Sequence, residues 1–439
     1  MARQGDKMER GLIELYHDDA ERADWRVFGR KADTDRRGFL RGAGLASMGA
    51  LLGTTMPFSA NMPMGLIPNA LADTLDEFSF ESKHGDLIIH NDRPVNIETP
   101  AHLLDDDVTP ANIHFIRNNG AMPMPMSKAD WRLTIDGEVN EPLELSFDEL
   151  VNDFEHVTLR LQLECGGNGR GGFNPLPRGN PWTIGAIGNA EWTGVRVADV
   201  LRRAGIKPSA VYTGHYSYDP HLSGDPERQA ISRGGPIAKM MDPHTILAFR
   251  MNGEDLPIAH GYPVRIVAPG WAGSVSQKWL TRIEVLDRQH TGSGMTGLSY
   301  RVPRHPVEPG AEVADEDMEV MASMIVKSAI THPVAGDEVA TGRPFEVRGQ
   351  AWAGDDWVTA MEVSIDFGAT WQPATVEPAP NRYSWQRWRA HVTAPLTGYY
   401  EVWARATDNR GRGQPMVVPG WNPRGYLNNA CHRIHVTAV

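Results

Sequence analysis

Residues 157–170 read VTLRLQLECGGNGR. Through the first nine, apolar and polar side chains alternate without a break. Val157, Leu159, Leu161, Leu163 and Cys165 share one face; Thr158, Arg160, Gln162 and Glu164 share the other. A period of two predicts a half-buried β-strand, with Cys165 ending it on the apolar face. Gly166, Gly167 and Gly169 follow, so the chain is expected to turn sharply past the sulfur and to let a ligand approach its backbone. Asn168 and Arg170 add an amide and a cation. A single thiol at a strand end, under a glycine turn and beside a guanidinium, has the surroundings of a metal ligand or a nucleophile. A buried, inert cysteine is the alternative that this stretch alone leaves open.

The same residues contain Gly167, Gly169 and Gly172 in the spacing G-x-G-x-x-G. A dinucleotide fold would require a helix to open here, with its N-terminus on a pyrophosphate. Pro175, Pro177 and Pro181 come instead, and a helix of useful length cannot start through them. Glu191 sits near the expected acidic spacing but means little without that helix. The nicotinamide reading is excluded.

The chain has 439 residues, 41% of them hydrophobic, enough for two or three domains with a sizeable core. The formal charge of −12 argues against nucleic acid as the main partner. Upstream, Arg36 and Arg37 begin a twin-arginine sequence, followed by a mildly apolar run over residues 42–53 and an A-x-A site at Ala70-Leu71-Ala72. This pattern predicts a signal for the twin-arginine (Tat) export pathway, with residues 1–72 as extension and signal and a periplasmic destination. The run is too short for a membrane span. Tat export carries folded proteins, commonly with a cofactor already inserted.

Residues 73 to about 110 are expected to form an extended or irregular arm, with Asp105, Asp106 and Asp107 as a solvated acidic loop rather than a calcium site. Met122, Met124 and Met126 alternate with prolines; loop packing is preferred over a copper site. Ser146 and Glu149 form a capping-box pattern for a short helix, and residues 195–204 carry a helical apolar face stopped by Gly205. Short strands and helices without repeat predict an α+β domain over residues 73–310, trailing into a Pro- and Gly-rich linker between Gly292 and Asp317. Residues 321–439 break into six or seven short alternating runs separated by turns, predicting an all-β immunoglobulin-like sandwich.

Five separated segments then carry a resemblance: residues 161–170 around Cys165, Phe115-Ile116-Arg117-Asn118-Asn119, His260-Gly261-Tyr262-Pro263-Val264-Arg265, Ser276-Gln277-Lys278-Trp279-Leu280 and Trp421-Asn422-Pro423-Arg424-Gly425. Taken in chain order they resemble the sulfite oxidase family of molybdopterin enzymes, in the form of the bacterial periplasmic sulfite dehydrogenases. The family pattern at the thiolate is L-Q-C-A-G-N-x-R, from which Glu164 departs. The resemblance implies an α+β pterin domain followed by an immunoglobulin-like domain that forms a homodimer. It implies Cys165 as the protein ligand to molybdenum. Phe115, Ile116, Arg117, Asn118, Asn119, His260, Arg265, Ser276, Gln277 and Lys278 fall at the cofactor-binding positions. Arg117, Arg170, Arg178 and Arg424 are implied to line a pocket for a small oxyanion, which suits guanidinium forks. Asn119 stands where the family often has histidine. Ile231 falls at the expected place of a tyrosine, so Tyr216 or Tyr218 is expected to supply that hydroxyl.

The implied activity is oxidation of sulfite to sulfate with oxygen from water. No C-x-x-C-H haem motif occurs, so no haem is expected, and electrons are expected to leave to a periplasmic c-type cytochrome. The alternatives are a molybdoenzyme acting on another sulfur compound, by sulfane oxidation or S-oxide reduction, and an exported, non-catalytic binding module. Pairing of Cys165 with Cys431 would consume the implied ligand.

Overall fold

A computed structural model of the chain describes residues 83–439. The twin-arginine segment and the A-x-A site lie outside the described residues. The opening stretch forms the strand His156–Glu164. Its alternation governs exposure only in the first half; from Leu161 onward every residue of the strand is buried, Gln162 and Glu164 included. The half-buried expectation is therefore corrected. Residues from the C-terminal part of the chain cover the polar face: Gln162 donates its backbone N–H to Tyr383 O at 2.9 Å, and Asn381 donates to Arg160 O at 3.0 Å.

The strand pairs antiparallel with Ile187–Arg196, Leu163 opposite Gly188. Ile246–Met251 and then Glu254–Asp255 continue this sheet, and Arg265–Val267 also joins Ile246–Met251. A second five-stranded sheet runs Leu143–Ser146, Arg132–Gly137, Leu280–Leu286, Tyr212–Ser217, Gly234–Pro236, with one parallel pair. Between the two lies an apolar core that includes Trp131, Leu133, Val200, Leu247 and Ile283. The helix Phe147–Asn152 starts on the expected box: Glu149 N–H donates to Ser146 Oγ at 3.2 Å, and Ser146 N–H donates to the Glu149 carboxylate at 2.8 Å. The helix Val197–Ala204 stops at Gly205, whose φ of +66° suits glycine. Val195 and Arg196, read as its first turn, remain in the preceding strand. Strands dominate, and the described helices are short. Among the described residues no helix is long and apolar enough to cross a membrane.

Two segments read as irregular are structured. Ile88–Asp92 pairs with Val95–Glu98, which pairs with Ile116–Arg117, so the supposed arm is a three-stranded sheet. All four residues of its middle strand are buried. Their pattern, VNIE, hides a strand because the buried Glu98 is satisfied by Thr183 and Gly185 N–H groups at 2.9 Å. The linker also has form: Arg301–Pro303 pairs with Met318–Val320. The acidic run is tied to arginines, Asp105 to Arg348 at 2.9 Å and Asp107 to Arg160 and Arg387. Met126 packs on the main core while Met124 is exposed, in keeping with loop packing.

The C-terminal part is all-β, as expected. Its strands follow one path of eight: Lys327–His332, Pro344–Trp352, Gln386–Thr393, Gln372–Val376, Val358–Ser364, Gly398–Asp408, His432–Ala438, Glu338–Val339. The sheet curls over a core of Val347, Trp388, Val402 and Val436.

Candidate active site

A cleft lies at the end of the His156–Glu164 strand. Cys165 and Gly166 form one wall. Phe115, Arg117, Asn118 and Asn119 come from the edge of the three-stranded sheet, and His260 and Arg265 from the chain around one tight turn. Ser276, Gln277 and Lys278 come from the loop that leads into Leu280–Leu286.

Cys165 is a free thiol, 7% exposed, held by its N–H on Ala186 O at 2.9 Å. Cys431 is also free and buried, and no disulfide joins them. Burial pushes the Cys431 thiol up to about 11, which keeps it protonated and inert. Arg170 lies over the glycine turn, where a Cβ on Gly167 would fall on its guanidinium. Its Nε donates to Arg424 O at 2.6 Å and its Nη1 to Asn180 O at 2.9 Å. These two bonds aim the guanidinium along the turn that follows the thiol.

At the far end, cations gather with little to balance them. Arg265 is 4% exposed and donates only to backbone oxygens, His260 O at 2.9 Å and Ser276 O at 2.8 Å. Lys278 donates to Ala259 O at 2.8 Å and to the Asn118 side-chain oxygen. Burial first, then Arg265, holds the Lys278 pKa well below the lysine range. Lys83 Nζ stands 3.2 Å from His260 Nε2, and burial pulls its pKa to about 8. Burial, reinforced by Lys83, keeps His260 neutral. Asp219 is the carboxylate that lines this cleft; burial pushes its pKa up to about 6, against the opposing pull of Ser217 and Lys278. The Nδ2 of Asn118 and the Nε2 of His114 line the same region, buried and without partners. Desolvated cations and the unpaired Asn118 amide donor call for a bound polyanion.

Most of the residues singled out in the sequence come together here. Ile116 is buried behind the wall rather than in it. Arg170 and Arg424 sit beside the thiol turn, joined to each other. Arg178 is exposed on the loop before Asn180 and, like Arg170 and Arg424, is not among the residues that line the cleft. The tyrosine expectation is corrected. Tyr216 OH donates to Glu284 at 2.6 Å and Tyr218 OH to Tyr262 O at 3.0 Å, and neither lines the cleft. The hydroxyl in the cleft is that of Tyr300, which donates to Asn119 Oδ1 at 3.3 Å. Arg117 donates to the same oxygen at 2.7 Å, so Asn119 ties phenol and guanidinium together. Tyr300 is held between Tyr426, stacked at 5.6 Å, and the Arg233 guanidinium, 4.7 Å from its ring.

Tyr300, Asp219 and Lys83 were missed in the sequence. Tyr300 lies in a stretch that composition marks as linker, Asp219 in a polar loop, and Lys83 in the supposed arm. No local pattern distinguishes them.

Residues 119–293 match the family described as Oxidoreductase molybdopterin binding domain, and residues 318–439 match the Mo-co oxidoreductase dimerisation domain. Mitochondrial sulfite oxidase of Rattus norvegicus is 35% identical over 375 residues, 81% of this chain and 66% of that protein. The chain thus spans a little under two thirds of that relative. Sulfite oxidase of Gallus gallus is 32% identical over 381 residues, 83% of this chain and 81% of that protein. Among solved structures, the sulfane dehydrogenase SoxCD from Paracoccus pantotrophus aligns with a TM-score of 0.63 and 26% identity over 87% of this chain and 96% of that one.

Proposed function

The chain belongs to the sulfite oxidase family of molybdopterin oxidoreductases, and from that premise we propose that it is a sulfite dehydrogenase passing electrons to an external c-type cytochrome. The observation that carries this reading is one cleft with a lone thiol at one end and under-balanced cations at the other. Arg265, Lys278 and His260, with Lys83 behind them, would hold the anionic end of the pterin. Asn118 Nδ2 supplies an unspent donor, while His114, neutral and donating from Nδ1 to Phe115 O, presents Nε2 as an acceptor; Phe115, Ser276 and Gln277 complete the walls. Cys165 would be the metal ligand. The bound molybdenum would supply oxygen-atom transfer and accept two electrons. Arg117, with Arg170 beside the thiol, would draw in and orient a compact oxyanion, and Tyr300 would hold a proton donor at the same place. A bulky neutral sulfoxide would leave these guanidiniums desolvated and unpaired.

The likeness to SoxCD favours a second reading, oxidation of sulfane sulfur. Purified protein should contain stoichiometric molybdenum and pterin and reduce ferricyanide or cytochrome c with sulfite. Turnover of sulfane sulfur alone would replace the first reading by the second. Sulfoxide reduction alone, or protein made in molybdate-supplied cells that carries neither molybdenum nor pterin, would sink both.

The match to the dimerisation domain supports a homodimer, which light scattering should detect at micromolar concentration. Export to the periplasm is proposed from the Arg36-Arg37 pair. Replacing both by lysine should leave the protein in the cytoplasmic fraction; undiminished periplasmic protein would refute Tat export.

A further inference from the structure

The carboxylate one residue before the thiol reaches into the C-terminal sheet. Glu164 is 2% exposed, and its oxygens accept from Lys327 Nζ at 2.7 Å, Trp352 Nε1 at 2.9 Å and Asn168 Nδ2 at 3.1 Å. Lys327, itself fully buried, also donates to Asn168 O at 2.9 Å. Asn168 in turn spans the thiol turn: its N–H donates to Cys165 O at 2.9 Å, and its Oδ1 accepts from Ala186 N–H at 3.0 Å. The turn that begins at Cys165 is thus tied, through Asn168, to one buried ion pair.

From these contacts we infer that Glu164 and Lys327 are positioning residues for the Cys165 thiolate, so that the C-terminal sheet sets the orientation of the metal ligand. The inference rests on the reading of Cys165 as that ligand. Alternation along the strand puts the Glu164 carboxylate on the face opposite the sulfur. The pair therefore acts through the backbone and through Asn168, not by touching the metal. A buried ion pair with a fork of donors fixes one geometry, and losing one partner strands the other charge in the interior. Replacing both charges by amides strands neither, whereas replacing one leaves the other charge buried without its partner.

The test uses Glu164→Gln, Lys327→Gln and the double substitution in molybdenum-loaded full-length protein. Each single variant should release molybdenum about 10- to 100-fold faster than the wild type during dialysis, the loss typical when a partner of a metal ligand is removed. Each should also shift the Mo(V) electron paramagnetic resonance signal. The double variant should restore both. Trp352→Phe, which removes one neutral donor, should give a smaller shift of the same signal and serves if the single-charge variants do not fold. Unchanged spectra in the foldable variants would overturn the inference, as would a double variant no better than the singles. A Cys165→Ser variant that keeps the molybdenum sulfur count intact would instead overturn the ligand reading, so the two failures are distinct.

Discussion

Cys165 and Asp219 stand at the two ends of the cleft, and each makes a measurable demand. Serine at position 165 keeps the size of the side chain but replaces a soft thiolate by a harder oxygen. Cys165→Ser should fold and retain pterin, since Arg265, Lys278 and His260 hold the far end. Its turnover should fall by about two orders of magnitude or more, with one sulfur scatterer lost at the molybdenum edge. Cys431→Ser should leave both unchanged. An unaltered sulfur count in Cys165→Ser would mean that the thiol is only well packed. Asp219 titrates at about 6 in the fold, against an ordinary value of 3.8. The folded state therefore favours the neutral acid. Stability is fully present below pH 3.8 and falls as pH rises from there to about 6, by about 3 kcal/mol for a shift of this size. Asp219→Asn should flatten that slope in cofactor-free protein and stabilise it at pH 7 by a similar amount, as measured by urea unfolding across pH 4 to 8. An unchanged slope would remove Asp219 as its source. At this scale Cys165, Arg265 and Lys278 were legible, because a lone thiol after a strand and cations in ordered motifs leave a mark. Tyr300 was not, because its place depends on a stacking partner 126 residues away.

The turn after Cys165 shows what one element contributes. Gly169 has φ +93°, in the region that favours glycine. Gly167 has a different reason to be small, because the Arg170 guanidinium lies where its Cβ would go. Gly167→Ala should therefore fold, since only the end of a side chain must move, yet displace Arg170 from its bonds to Arg424 O and Asn180 O. Its KM for sulfite should rise about tenfold or more, as expected for a charge-assisted contact worth about 1.5–3 kcal/mol. An unchanged KM would show that Arg170 does not face the anion. Reading this element from sequence succeeded on the strand, the thiol and the turn. It failed on the buried second face, since the cover comes from Tyr383, Lys327 and Trp352 in a different part of the chain. Glu164 looked like an outward-facing variation because nothing in its own segment reveals that partner. The helix Phe147–Asn152 was legible because its cap is local, with both reciprocal bonds made within four residues.

Across the whole molecule, two buried polar networks fasten the C-terminal sheet to the rest of the described chain. One is built on Glu164 and Lys327. The other centres on Tyr383, 1% exposed, whose hydroxyl donates to Asp242 at 2.5 Å and accepts from Lys239 at 3.1 Å. Lys239 pairs with Asp355 at 2.9 Å, and Trp271 Nε1 donates to the other Asp355 oxygen at 2.8 Å. Burial, reinforced by the bond to Asp242, pushes the phenol pKa far up, so the hydroxyl keeps its proton at any working pH. The two parts were recognisable in the sequence by their different strand patterns, but their mutual fastening was not, because its members are separated by more than 100 residues. Tyr383→Phe tests it with almost no change in volume. It removes one hydroxyl shared by the Asp242 carboxylate, the Lys239 ammonium and the Arg382 guanidinium, which should cost about 2–3 kcal/mol. The thermal midpoint should fall by about 3 °C for a chain of this size. Because the lost bonds join two parts that each keep their own core, calorimetry should also show the single transition broaden or split. A variant that melts as one sharp transition at the wild-type midpoint would show that apolar packing, not this network, joins the two parts.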